Sequence, residues 1–199
     1  MLEGGRIFMY NNEILFSKAQ AGDMQAFEIF IINYEKLIYN AAYRMFPNSY
    51  DAEDIAQEVM IKVYKNISKC KNAASFKSWL LKIVHNTCID EIRKRKNKTT
   101  ISLDKEHEGD DGPMENQLLK DENTPETELM KKYTARQIQK AIENLPADYR
   151  SVIVLRDING LSYEEIAKIT GANLGTVKSR IARARSNLQK ELKNLLEQK

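Results

Sequence analysis

Cysteine and histidine are scarce in this chain, and their scarcity closes off several kinds of chemistry. Among 199 residues there are two cysteines, Cys70 and Cys88, and two histidines. Two thiols without regular spacing point to a reducing compartment or to no structural disulfide. His85 and Cys88 form an H-x-x-C, but no second pair lies nearby to complete a zinc site, so both are expected in core or flanking roles. No metal or cofactor is expected. Long apolar runs are missing too: nothing approaches the ~20 residues of a membrane span. The opening MLEGGRIFMYNNEILF has neither the basic flank nor the uninterrupted apolar stretch of a signal peptide. The expected location is therefore the cytoplasm. Strand-period alternation and internal repeats are also lacking, which leaves an all-α chain.

What the chain has in quantity is charge, unevenly spread. Residues 1–96 carry 14 Lys/Arg and 11 Asp/Glu, residues 97–128 carry 3 and 10, and residues 129–199 carry 14 and 7. A mixed front, an acidic middle and a basic end suggest a different partner for each part. Residues 1–16 read as an arm, because Gly4-Gly5 and Asn11-Asn12 discourage a long helix. From Asp23 to Phe46, the residues Phe27, Phe30, Ile31, Tyr34, Leu37, Ile38, Ala41 and Met45 share one helical stripe. Pro47-Asn48-Ser49 breaks it. Asp51 can cap the next helix, along which Ile55, Val59, Val63 and Ile67 recur every four residues.

That helix opens with Asp51, Glu53, Asp54, Gln57 and Glu58. Acids near a helix N-terminus stabilise it by ~0.3–1 kcal/mol each; a metal site is the sharpest reading but lacks histidines at ligand spacing, and a protein-docking patch sits between the two. After the polar loop SKCKNAAS, a third helix runs from Phe76 to about Lys96. It is apolar on more than one face, which places it between its predecessors, and it ends in the cationic run Arg93-Lys94-Arg95-Lys96. Asn97 to Glu128 loses periodicity and reads as a linker. As coil it would span roughly 30 Å on average and about 100 Å at full stretch. A helix near Leu129 to Asn144 then uses Leu129, Tyr133, Ile138, Ala141 and Ile142, and another carries Val152, Ile153, Leu155 and Ile158.

The stretch Leu161 to Leu192 is the most informative. Ser162 and Glu165 make an S-x-x-E capping box, Gly171 suits the left-handed end of a helix, and Asn173 can cap its successor. Leu174, Val177, Ile181, Ala184 and Leu188 form one face of that second helix. The other face carries Gly175, Thr176, Lys178, Ser179, Ala182 and Arg183, with Arg180 and Arg185 at its flanks. Small, hydroxyl and cationic groups facing out from a helix backed by another suit the DNA major groove.

Asp51-Ala52-Glu53-Asp54-Ile55-Ala56-Gln57-Glu58, with Phe76-Lys77-Ser78-Trp79-Leu80 running into Ile89-Asp90-Glu91-Ile92-Arg93, resembles region 2 of extracytoplasmic-function sigma factors. Leu145-Pro146, Leu161-Ser162-Tyr163-Glu164-Glu165-Ile166-Ala167 and Gly175-Thr176-Val177-Lys178-Ser179-Arg180 resemble their region 4. The resemblance implies two small helical domains, at 17–96 and 129–199, joined by an acidic flexible linker at 97–128. It also implies a dissociable, non-enzymatic initiation subunit of bacterial RNA polymerase. Asp51, Glu53, Asp54, Gln57 and Glu58 would meet the clamp of the largest polymerase subunit, and the flap of the second largest would be a further partner. Lys69, Lys71, Asn72, Lys77, Lys82, Asn86 and Arg93 would engage the −10 element and its non-template strand. The helix Asn173–Ser186 would read the −35 element through Asn173, Gly175, Thr176, Lys178, Ser179, Arg180, Ala182 and Arg183. The linker would thread near the RNA exit path. An anti-sigma protein is a further partner that the family implies; a small-molecule substrate is not.

The chain departs from larger sigma factors in one respect. Only Phe76 and Trp79 are available as aromatics near the −10 candidates, both on the packed face, so strand capture would rest on the loop and polar contacts. Two readings compete with the sigma factor. One is a free-standing helix-turn-helix regulator with the front helices as a sensor or dimerisation domain. The other is a metal-dependent enzyme using the acids of Asp51–Glu58.

Overall fold

The computed structural model describes residues 3–46, 48–99 and 125–197. Among them there is no strand. Eight helices follow one another: α1 Glu3–Gln20, α2 Met24–Met45, α3 Ser49–Asn66, α4 Phe76–Thr99, α5 Pro125–Glu143, α6 Ala147–Ile153, α7 Tyr163–Thr170 and α8 Leu174–Glu197. Two short 3-10 turns, Ile67–Lys69 and Ala73–Ser75, join α3 to α4. Residues 100–124 of the expected linker lie outside the described residues.

The opening stretch is a helix where an arm was expected. α1 runs through Gly4-Gly5 and Asn11-Asn12, although each glycine costs about 1 kcal/mol of propensity. Packing further along anchors the helix. Phe16 and Ala19 are buried, and the Phe16 ring lies 5.5 Å from Phe30 and 5.9 Å from Phe76. Gly22, at φ 95°, turns the chain, and the Asp23 carboxylate accepts from the Ala26 N–H at 3.0 Å to start α2. The cap of α3 is Asn48 rather than Asp51: the Asn48 side-chain oxygen accepts from the Tyr50 N–H at 2.9 Å. Ile55, Val59, Val63 and Ile67 are buried, as their spacing requires.

Two faces of α4 are apolar because it is packed from two sides. Phe76 meets Phe30 and Tyr34 of α2, with ring centroids 4.7 and 4.8 Å away. Leu81, Val84 and His85 instead share a small gap with Ser151, Val154 and Leu155, which follow the start of α6. The front and rear helices thus have one continuous core. Polar contacts border it. Arg150 donates to the Met45 carbonyl at 2.5 Å and also to the carbonyls of Glu143 and Leu145. Arg44 donates to Gln139 at 2.8 Å, and Gln139 donates on to the Tyr43 carbonyl at 3.0 Å.

This packing alters the expected interior of the rear helices. α5 begins at Pro125, before the expected start near Leu129. Leu129 is 70% exposed and Ile138 36%, whereas Gln139 is only 6% exposed between its two partners on α2. α6 widens into a π turn, Val154–Ile158, and this leaves Ile158 exposed while Leu155 is buried.

Candidate nucleic-acid interface

The helix-turn-helix forms as local chemistry dictates. Ser162 Oγ accepts from the Glu165 N–H at 3.2 Å, and Glu165 Oε2 accepts from the Ser162 N–H at 2.8 Å, closing the capping box. Gly171 ends α7 at φ 68°, where a Cβ would be strained by the backbone conformation alone. Asn173 Oδ1 then accepts from the Thr176 N–H at 2.8 Å to begin α8. Ile166 and Ile169 of α7 and Val177, Ile181 and Ala184 of α8 are buried, with Leu188 packed at their edge. Leu174, expected on this inner face, is 36% exposed.

The outer face of α8 carries the expected groups. Asn173, Gly175, Lys178, Ser179, Ala182 and Arg183 are exposed, and Thr176 is half-buried. No carboxylate among the described residues pairs with Lys178 or Arg183. The two flanking arginines differ from them. Arg180 turns to Asp148 at the start of α6, 2.9 Å away, and Arg185 holds Asp157 at 2.5 and 3.1 Å. Among the described residues, the face therefore offers two cations without partners and two already committed to carboxylates.

At the front, the seven −10 candidates are all exposed but do not form one surface. Lys69, Lys71 and Asn72 lie in the loop between α3 and α4. Lys82, Asn86 and Arg93 follow one side of α4. Lys77 stands ~140° around the helix from Lys82, where it donates to the Asn159 carbonyl at 3.0 Å. Asn72 also shapes its own loop, since its Oδ1 accepts from the Ser75 N–H at 2.9 Å. Phe76 is fully buried among other rings and cannot offer a stacking face; Trp79 is half-buried beside it.

The acidic front of α3 is likewise divided. Arg95 Nη1 and Nη2 donate to the two oxygens of Asp51 at 2.6 and 2.8 Å, Arg95 Nε donates to Glu91 at 3.0 Å, and the guanidinium lies over the Phe46 ring. These carboxylates hold the Arg95 charge well above its ordinary pKa. The arginine thus clamps α4 to α3, a role hidden inside an apparent cationic run. Glu58 pairs with Lys62 at 2.7 Å, and Lys62 donates to Thr87 at 3.0 Å. Glu53, Asp54 and Gln57 are exposed.

His85 and Cys88 take packing positions. His85 Nδ1 lies 2.7 Å from Ser151 Oγ, and burial lowers the imidazole pKa to about 4. Burial raises the Cys88 thiol to about 12. Sequence reasoning missed Gln20, which donates from the end of α1 to the carbonyls of Ile67 and Cys70. No local motif announces it, since its partners are 47 and 50 residues away.

Models of sigma-70 region 2 and sigma-70 region 4 match residues 30–98 and 135–188. The chain is 40% identical over 179 residues to the ECF RNA polymerase sigma factor SigW of Bacillus subtilis, covering 89% of this chain and 95% of that protein. It is 30% identical to the ECF RNA polymerase sigma-E factor of Escherichia coli strain K12 over 93% of this chain and 96% of its relative. Among solved structures, the sigma factor RpoE in complex with the anti-sigma factor NepR from Bartonella quintana superposes with a TM-score of 0.68 and 27% identity, covering 85% of this chain and 98% of that one. The front helices that a free-standing regulator would need as a sensor are those matched by region 2. No helix of the described residues is long and apolar enough to cross a membrane. The chain belongs to the sigma-70 family, and within it to the extracytoplasmic-function RNA polymerase sigma factors, which direct transcription initiation and are not themselves enzymes.

Proposed function

We propose a division of labour along the chain, with the front unit at 17–96 and the rear unit at 129–199. The front unit docks on the clamp of the largest subunit of core polymerase through the acidic start of α3. Glu53, Asp54 and Gln57 make the contact there, and Asp51 and Glu58 hold the surface in shape while adding charge. Lys69, Lys71 and Asn72 in the loop, with Lys82, Asn86 and Arg93 on α4, take the −10 element and its displaced non-template strand; Lys77 joins them once its contact to Asn159 is exchanged. The rear unit reads the −35 element in the major groove through Asn173, Gly175, Thr176, Lys178, Ser179, Ala182 and Arg183, with Arg180 at the edge, and reaches the flap of the second largest subunit. The acidic stretch 97–128 threads beside the RNA exit path. An anti-sigma protein is the regulatory partner, and the site of action is the cytoplasm.

One observation carries this reading most directly. Lys178 and Arg183 are exposed on a helix braced from behind by Val177, Ile181 and Ala184. Cations left unpaired on a rigid helix suit base edges and phosphates, because nothing in the protein must be broken before they bind. Run-off transcription with sigma-free core polymerase on promoters altered separately at −35 and −10 tests the assignment. Changes in α8 should alter only −35 preference, and changes in the loop only −10 preference. Tight, selective duplex binding without polymerase would overturn the division in favour of a free-standing regulator.

A further inference from the structure

The loop between α3 and α4 is laced within itself, seated on the core by Ile67 and Cys70, and joined by hydrogen bonds to α1. Internally, Ser75 N–H donates to Asn72 Oδ1 at 2.9 Å, Ser75 Oγ donates to the Asn72 carbonyl at 3.0 Å, and the buried Cys70 thiol points at that carbonyl from 3.5 Å. The flanking helices add contacts of their own: Ser78 Oγ of α4 donates to the Ser75 carbonyl at 3.1 Å, and Lys69 Nζ donates to Asn66 Oδ1 of α3 at 2.7 Å. Apart from contacts with those helices, the hydrogen bonds that reach this loop among the described residues both come from Gln20. Its Nε2 donates to the Ile67 carbonyl at 3.1 Å and to the Cys70 carbonyl at 2.6 Å. Those carbonyls stand at the two ends of the 3-10 turn that carries Lys69. The two hydrogens of one amide therefore bridge the ends of a turn whose own Cys70 N–H donates to the Ile67 carbonyl at 3.0 Å, and tie that turn to α1.

Gln20 is itself held in place. One turn earlier on α1, Phe16 is wedged against Phe30 and Phe76, and Ala19 is buried beside it. The register of α1 against the front core thus sets where the amide sits. Lys69, Lys71 and Asn72, all exposed, project from the backbone segment that the amide restrains.

We propose that Gln20 is a positioning residue for −10 strand capture: it touches no DNA, but it sets the loop geometry through which Lys69, Lys71 and Asn72 meet the displaced strand. The inference rests on the assignment of that loop to the −10 element. Gln20→Glu keeps the shape of the side chain and replaces the donor with a second acceptor facing two carbonyls. Gln20→Lys restores a donor of similar reach. With the full chain on core polymerase, Gln20→Glu should lower open-complex formation about tenfold, as the loss of two hydrogen bonds predicts, and should flatten discrimination among −10 variants. On the same promoters, affinity for core polymerase and −35 preference should stay unchanged. Gln20→Lys should recover −10 discrimination, which an extra charge acting only on phosphates would not restore.

Gln20→Glu, or Gln20→Ala if the first variant does not fold, that keeps full −10 discrimination would overturn the proposal. So would Gln20→Lys failing to recover it while melting normally, which would mark Gln20 as merely structural. Loop variants separate the two levels. If Lys69→Ala, Lys71→Ala and Asn72→Ala all leave −10 use intact, the assignment of the loop fails and takes the proposal with it. If they impair −10 use and Gln20→Glu does not, the role of Gln20 alone is refuted.

Discussion

The helix-turn-helix at the rear and the α3–α4 loop at the front are both short polar elements flanked by helices, yet opposite means hold them. α7 and α8 are set by contacts three residues apart: Ser162 with Glu165, Asn173 with Thr176, and Gly171 between them. The loop instead takes its position from Gln20, 47 and 50 residues away, and from a ring cluster drawn from α1, α2 and α4. A reading element built from local rules forms wherever it is placed. An element built from long-range ties has its shape only when the core beneath it is complete.

The sharpest way to break this contrast is to remove the core under the loop. Phe76→Ala should cost about 3–5 kcal/mol of stability, read as a lowered denaturant midpoint, with −10 use collapsing before −35 preference changes. A loss of both together would show that the two elements share more support than their contacts indicate. Next in size, Lys178→Ala and Arg183→Ala should each cost ~1–3 kcal/mol of discrimination among −35 variants if the contact is bidentate to a base, with unchanged melting; a reporter series on −35 variants measures this.

Ser162→Ala removes half of the capping box and should lower stability by about 0.5–2 kcal/mol, felt first as faster amide exchange in the first turn of α7. If exchange in the α3–α4 loop rose as much, the local account of α7 would fail. The smallest effect concerns pH. The folded His85 pKa lies near 4, below its ordinary value of 6.5, so between those values the unfolded chain binds more protons. Stability should therefore rise with pH across that window and be flat above it. At pH 6 the deficit should be under about 1 kcal/mol, and His85→Gln should remove the slope in a series of melting curves.

The same contrast explains what could be read from the chain before its structure. The capping box, Gly171 and the outward cations of α8 are short-range patterns and were legible residue by residue. The stripes of α2 and α3 were legible too, because burial follows helical period. α1 was not: Gly4-Gly5 and Asn11-Asn12 argue against a helix, and the packing of Phe16 overrides them from a distance. Asn48 and Asp51 are both good capping types, and only the fold reveals that Asp51 is engaged with Arg95. The second apolar face of α4 was visible, but its occupant, α6, lies beyond the acidic stretch. The burial of Gln139 had no signature in the chain, because sequence cannot display a polar pair made across 95 residues.

The border between front and rear helices is sealed by Arg44, Gln139, Arg150 and the His85–Ser151 pair as well as by hydrocarbon. A joint of this kind has a property that an all-apolar one lacks. Each polar group can exchange its protein partner for water at a net cost of only ~0.5–1.5 kcal/mol, whereas exposed hydrocarbon regains nothing. Such a border has the chemistry of a clasp rather than a weld.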